Sequence, residues 1–279
     1  MTRRLLLFFF LLYTSSGNLL MSQTQWRAWI SGSVEASISP KLDLRATYLR
    51  SHNMSGDWAN GFNQKSLTAS YDLSKRWSAL AGVLQTSFPS GSSSVNRTFL
   101  RIGYRLPLAG ILTFSNNIQG EWHSAEETRF RNRIILISRI GNRKRIPFLR
   151  LNLSASYWLY YNLGGNPIKY YDASGAVLTR QSPEGFHRGR FYLNASSKLS
   201  KHWSLSLYYM NQTEFNLLSH DYRKINVVNP ATGKTTRAFD NYQVAGLTLG
   251  YEFKTYKQKR KSKSNNSKTD KEKSYEQQN

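Results

Sequence analysis

Long stretches of this chain alternate polar and apolar residues one by one. Leu67, Ala69, Tyr71 and Leu73 alternate with Ser66, Thr68, Ser70 and Asp72. Trp203, Leu205, Leu207 and Tyr209 alternate with Ser204, Ser206, Tyr208 and Met210. Period two is the mark of a strand with two unlike faces. Sustained over about a dozen residues, it exceeds what a soluble strand usually needs and suits a tilted strand that crosses a bilayer. Beside these runs a short phrase recurs. Leu73-Ser74-Lys75-Arg76-Trp77-Ser78 returns as Leu199-Ser200-Lys201-His202-Trp203-Ser204, each copy reading as strand, tight turn, strand.

The same reading along the chain gives strands at 26–38, 42–50, 64–73, 77–88, 95–106, 111–123, 128–140, 147–161, 187–199, 203–215 and 242–253. The connections fall into a short set and a long set. The longest are 162–185 and 216–241, the latter with room for a strand extension at 222–228. Short turns at one end and long loops at the other are expected of an outer-membrane barrel, and a two-sheet sandwich has no such bias. The fold predicted is all-β: an antiparallel up-and-down transmembrane β-barrel of about 10–12 strands. Eleven segments can be counted. Bacterial barrels of this kind normally have an even number, so ten or twelve is expected.

The two faces of the strands differ in kind. Leu100, Ile102, Tyr104 and Leu106 oppose Arg101, Gly103 and Arg105. Phe130, Ile134 and Leu136 oppose Arg129, Arg131 and Arg133, and Phe191, Leu193 and Ala195 oppose Arg188, Arg190 and Tyr192. A lipid-facing Arg near the bilayer midplane costs about 2–4 kcal/mol, so the Arg face is assigned to the interior. The predicted lumen lining is Arg101, Arg105, Glu121, Arg129, Arg131, Arg133, Arg150, Arg188, Arg190, Tyr192 and Glu214, with Glu35 as a further inward acid. Trp77, Trp203, Tyr251 and Phe253 fall at one end of their strands, as an aromatic girdle requires. Tyr160, Tyr161 and Tyr209 are candidates for the opposite girdle.

Composition and charge sharpen this picture. Arg3 and Arg4 precede an apolar run too short to span a membrane as a helix, which reads as a signal peptide. The chain divides into a signal at 1–22, a barrel at 23–253 and a disordered basic tail at 254–279. There is no Cys, which excludes disulfides and lipoprotein attachment. With 7 Trp, 17 Tyr and 14 Phe in a chain only 39% hydrophobic, the average is polar but aromatic-rich, as in barrels where only alternate residues meet lipid. The formal net charge is +23; the signal and the tail account for eight of these, leaving +15 for the body. Such a charge suggests nucleic acid, but the export signal and strand pattern argue against that partner.

Several motifs carry a family resemblance: the hydrophobe-Ser-Lys-x-Trp-Ser hairpins, Gly-Tyr-Arg-Leu at 103–106, the segment from Glu121 to Arg133, and Tyr-Glu-Phe at 251–253. In these the chain resembles a family of unknown function found as outer-membrane β-barrels in Bacteroidota, over residues 26–253. The resemblance implies a barrel in the outer membrane of a Gram-negative bacterium, with no established activity. Its partners would be outer-membrane lipid and lipopolysaccharide, and the barrel-assembly machinery.

Three functions fit the residues. Rings of inward Arg favour anions, which makes a small channel or passive transporter of anionic solutes the leading reading. Arg also suits charge networks that fill a lumen and fix register, so a closed barrel binding partners at its surface is the alternative. A third is a lumenal or rim hydrolase using Glu121 and His123, two apart on one strand face, with Ser115 or a loop Ser. No Gly-x-Ser-x-Gly and no metal-type His spacing occurs, and no cofactor or metal is indicated. A soluble β-sandwich binding module is the rival at the level of the fold.

Overall fold

The computed structural model describes residues 25–89, 91, 94–108 and 110–256. The signal expected at 1–22 and the part of the expected tail beyond Tyr256 lie outside the described residues. Eleven strands close into a barrel: β1 (Gln25–Ser37), β2 (Leu42–Asn53), β3 (Asn60–Asp72), β4 (Trp77–Ser87), β5 (Ser94–Leu108), β6 (Leu112–His123), β7 (Asn132–Asn142), β8 (Leu151–Leu163), β11 (Gly185–Lys198), β12 (Trp203–Leu217) and β15 (Tyr242–Lys254). Two hairpins stand in the long loops, β9 (Ile168–Tyr171) with β10 (Val177–Gln181), and β13 (Val227–Val228) with β14 (Thr235–Thr236).

Consecutive barrel strands pair antiparallel, but the closing pair does not. β1 runs parallel to β15 in unbroken register from Gln25↔Tyr242 to Ser37↔Lys254. Both strands start at the long-loop end and finish at the short-turn end. A ring of alternating strands that closes on one parallel pair must hold an odd number, so eleven replaces the even count expected. Side chains reinforce the seam: Ser31 Oγ donates to the carbonyl of Leu247 (3.2 Å) and meets Thr248 Oγ1 at 2.6 Å.

The repeated phrase works through its serine. In the turn between β3 and β4, Ser74 Oγ accepts from the N–H groups of Arg76 (3.2 Å) and Trp77 (3.1 Å). Ser200 does the same for His202 and Trp203 at 3.2 and 3.1 Å. Ser39 serves Lys41 and Leu42 at 3.2 and 3.0 Å. A hydroxyl that satisfies two turn N–H groups is a local device that needs no tertiary partner, which is why one phrase serves more than one hairpin.

Alternation then sorts the side chains. Leu67, Val83, Leu100, Ile118, Leu136, Leu153, Leu193, Leu207 and Leu249 are exposed on the outer wall. Between them along the strands, Gln119, Glu121, Arg133, Arg188, Gln212 and Glu214 are buried. Burial is therefore inverted relative to a soluble protein. Glycine makes space inside. A Cβ on Gly246 would fall within 2.3 Å of three ring carbons of Tyr208, so the Tyr208 ring lies directly against the β15 backbone.

The two longest loops pack on each other at one end of the barrel. Tyr170 is buried, its hydroxyl donates to the carbonyl of Lys224 (3.1 Å), and its ring meets Tyr222 edge-on. Asn216 ties the second loop down, with its amide bonded to both backbone groups of Ile225 at 2.9 Å. The strand extension expected at 222–228 is a 3-10 turn (Asp221–Arg223) followed by β13.

Candidate functional site

The inward positions divide the barrel interior into three levels. In the half nearer the long loops, the inward guanidiniums with a short ionic contact share a small set of acids. Glu121 of β6 is the hub. Its Oε2 accepts from Arg133 Nε (3.0 Å) and Nη2 (2.5 Å), and its Oε1 accepts from Gln119 (2.6 Å). Arg97 Nη1 stands 3.6 Å away and His123 Nε2 3.2 Å away. Arg188 binds Glu214 across the β11–β12 pair, Nε to Oε1 at 2.9 Å, and the second oxygen of Glu214 accepts from the N–H of Asp240 (2.9 Å). Arg27 reaches Asp240 at 3.3 Å. Of these, Arg27, Arg97, His123, Arg133, Arg188 and Asp240 line a cavity of about 210 Å³, together with Phe130 and Tyr242.

The middle level is apolar and aromatic. Trp29, Met210, Tyr242 and Val244 form one buried cluster, against which Leu49, Phe62, Tyr192 and Tyr208 pack. Ile135, Ile137 and Tyr160 form another, with Trp158 against it. Arg190 of β11 joins the two, its guanidinium carbon 6.0 Å from the Trp29 ring centre and 5.3 Å from that of Tyr160. β11 and β1 are not neighbours in the sheet, so this contact crosses the lumen. So does Arg101 of β5 over Trp158 of β8, at 5.3 Å.

The lowest level, toward the short turns, holds two adjoining cavities of about 300 and 260 Å³ that share Arg105, Ser115 and Arg139.

The lumen residues expected from the sequence fall into two groups. Arg101, Arg105, Glu121, Arg133, Arg188, Arg190, Tyr192 and Glu214 lie on inward positions of their strands. Glu35 is inward as well, paired with Arg45. Arg129, Arg131 and Arg150 are not on strands. β7 begins only at Asn132, so Arg129 and Arg131 belong to the preceding loop and are exposed. Arg129 binds Glu127 in a two-pronged pair at 3.0 Å, at the mouth of the upper cavity. Burial disfavours the Glu127 carboxylate, but the hydrogen bonds and charge of Arg129 outweigh it and hold its pKa below the usual range. Phe130, expected outside, is the buried residue of that stretch and packs edge-on against His123. Arg150 ends a 3-10 turn (Phe148–Arg150) before β8 and is exposed. Tyr160, expected in a girdle, is 2% exposed inside the barrel. Sequence reasoning missed Arg27, Arg97 and Arg139, although Arg97 and Arg139 lie an even number of residues from Arg101 and Arg133 and so share their faces.

Trp77, Trp203, Tyr251 and Phe253 stand on the outer wall at the short-turn end, where Trp203 meets Tyr251 (5.0 Å) and Trp77 meets Tyr104 (4.7 Å). The proposed acid–base pair is occupied otherwise. Glu121 is saturated by Arg and Gln donors, and His123 Nδ1 has no hydrogen-bond partner among the described residues. No serine hydroxyl is bonded to the His123 ring there, so an activated nucleophile is not assembled. Among the described residues no group of three or more His, Asp or Glu side chains is placed to hold a metal ion.

Comparison with known proteins gives a family match. The family described as "Protein of unknown function (DUF2490)" matches residues 26–223. No curated protein matches. One similar solved structure is a porin, described as "NanC porin structure in rhombohedral crystal form", at 10% identity and a TM-score of 0.42, covering 79% of this chain and 96% of that one.

Proposed function

We propose that this chain, which belongs to the DUF2490 family of unknown function, is an outer-membrane β-barrel with its long loops outside the cell. In this reading its lumen is closed at mid-height. It works by binding solutes in its vestibules or partners at its loops, not by steady conduction. The observation that carries the reading is the middle level: Tyr160, Met210 and Val244 are each no more than 2% exposed, on walls joined across the lumen by Arg190. An open aqueous channel would leave inward side chains wet. The passive anion channel is the second reading, favoured by the guanidiniums below this level.

Conductance separates them. Protein folded in detergent and inserted into planar bilayers is expected to give no steady current under a salt gradient. Stable anion-selective steps from the unaltered chain would establish the channel instead.

Embedding in the bilayer is tested separately. Leu207 is 56% exposed and pairs with Ala195 and Leu247 midway along β12. Leu207→Arg is expected to cost about 2–4 kcal/mol in lipid vesicles, as for a cation at the midplane of a barrel wall. Urea titration followed by tryptophan fluorescence reads this. An unchanged midpoint would take β12 out of the hydrocarbon.

A further inference from the structure

The charges inside the barrel are not evenly matched, and the mismatch is largest toward the short-turn end. The two lowest cavities are lined by Arg101, Arg105, Arg139 and Arg143, and by no carboxylate. No acid of the neighbouring strands lines either cavity, Asp43 of β2 included. Glu35 is held by Arg45 and Glu252 by Lys198 (2.7 Å). Asp72 pairs in register with Ser78 of this vestibule but is exposed and does not line it. The contrast with the upper half is direct, where Arg27, Arg97, Arg129, Arg133 and Arg188 each have an acid within 4.0 Å.

The neutral partners below do not make up the difference. Arg101 gives its Nε to Gln119 (2.6 Å), and Arg139 gives one Nη2 contact to Ser154 (3.1 Å). Most of the guanidinium N–H groups lining the vestibule are thus left to whatever fills it. Arg105, Arg139 and Arg143 are exposed to the open vestibule and Arg101 is half-buried. Gathered in one space without counter-charge they repel one another, and an anion that joins them relieves that repulsion. Arg presents planar, paired donors that match phosphate oxygens two at a time. Ser115, Asn117, Ser156, Asn152 and Asn194 add neutral polar groups around the same space.

We infer that this vestibule is a binding site for a small organic phosphate, entering from the short-turn end. The inference rests on the proposed barrel, since it needs the inner wall to be closed off from lipid. A phosphate dianion offsets two of the four positive charges. The larger cavity has room for about ten waters at liquid density, taking ~30 Å³ for each. That is more than a bare phosphate needs and suits one carrying an organic body. Trp158 and Tyr192 line the same cavity and give it an apolar flank for such a body.

The test uses the full chain folded in detergent, with isothermal titration against inorganic phosphate, glucose 6-phosphate and glucose. Saturable binding of glucose 6-phosphate is expected, tighter than inorganic phosphate, with none for glucose. Arg105→Gln combined with Arg139→Gln should weaken it at least tenfold, whereas Arg180→Gln, at an exposed position of the β9–β10 loop hairpin, should leave it unchanged. Each protein is first checked for a heat-dependent gel shift. Folded protein that binds neither phosphate overturns the site, and so does binding unaffected by the double variant. If the double variant fails to fold, Arg139→Lys replaces it; it keeps the charge and loses the paired donors, and unweakened binding again overturns the site. Absence of a heat-dependent shift in the unaltered chain would instead remove the barrel reading on which the site rests.

Discussion

Replacing Glu121 by Ala will lower the unfolding free energy of the barrel by about 3–5 kcal/mol, the cost of stripping the partner from buried cations. Glu121 is 3% exposed and Arg133 5%. Two Arg side chains, one Gln and one His converge on that single carboxylate. Without it Arg133 is left beside Phe130 and Tyr160, at 4.4 and 5.1 Å from their ring centres, a setting that solvates a guanidinium poorly. Glu121→Gln should cost less, because it keeps an acceptor and loses only the charge. Glu35→Ala is the control. Its pair with Arg45 lies at the exposed rim, where the Arg45 side chain is 56% exposed, and such pairs contribute about 0–1 kcal/mol. Urea unfolding of each variant in vesicles gives the comparison. Equal losses for Glu121→Ala and Glu35→Ala would mean that the hub is wet and its network unimportant.

How much of this was legible in the sequence depends on what each feature needs. The faces were legible wherever polar and apolar residues strictly alternate, as at Leu100 to Leu106, because period two is local. The hairpin turns were legible for the same reason, since Ser74 and Ser200 act on N–H groups two and three residues ahead. Alternation does not say where a strand stops. Arg129, Phe130 and Arg131 continue the pattern of β7 but lie beyond its end, in a loop where Arg129 is held by Glu127 and Phe130 turns inward. Contrast also fails where both faces are aromatic. From Tyr157 to Tyr161 five bulky residues follow one another, and only the sheet register shows Trp158 and Tyr160 to be inside.

The parallel seam was the least legible feature, because it joins the two ends of the chain. β1 and β15 each alternate as any barrel strand does. Nothing within either one announces that they run the same way, and the odd count follows only from their pairing. The closure of the lumen was hidden by a related ambiguity. Aromatic residues in a membrane barrel are expected on lipid-facing girdles, and Trp77 and Trp203 do stand on the outer wall. Trp29, Tyr160, Tyr208 and Tyr242 belong to the same residue types but face inward, where they pack with Arg190 and Met210. Whether such a ring meets lipid or lumen depends on one residue of register.

The middle level then makes the second large prediction: Trp29→Ala combined with Tyr160→Ala will turn a silent barrel into a conducting one. Both rings contact Arg190, from β1 and from β8. Removing them empties the space on either side of that guanidinium, which stays tethered to its own wall by hydrogen bonds to Gln212 (2.8 Å) and Tyr242 (3.2 Å). The sheet itself is untouched, because barrel closure rests on backbone pairing around the ring. The current should favour anions, since Arg101, Arg133 and Arg190 would line the opened path and cationic rings select for anions. Adding Arg101→Gln should lower that preference without closing the path. Loss of two large buried rings costs about 3–5 kcal/mol each, so Trp29→Leu with Tyr160→Leu is the milder version if the first does not fold. Folded double variants that remain silent would show that the closure lies elsewhere, with the packed loops around Tyr170 the next segment to test. Equal conductance in the unaltered chain and the variants would show that the aromatic level is no barrier at all, and the anion channel would be the better reading.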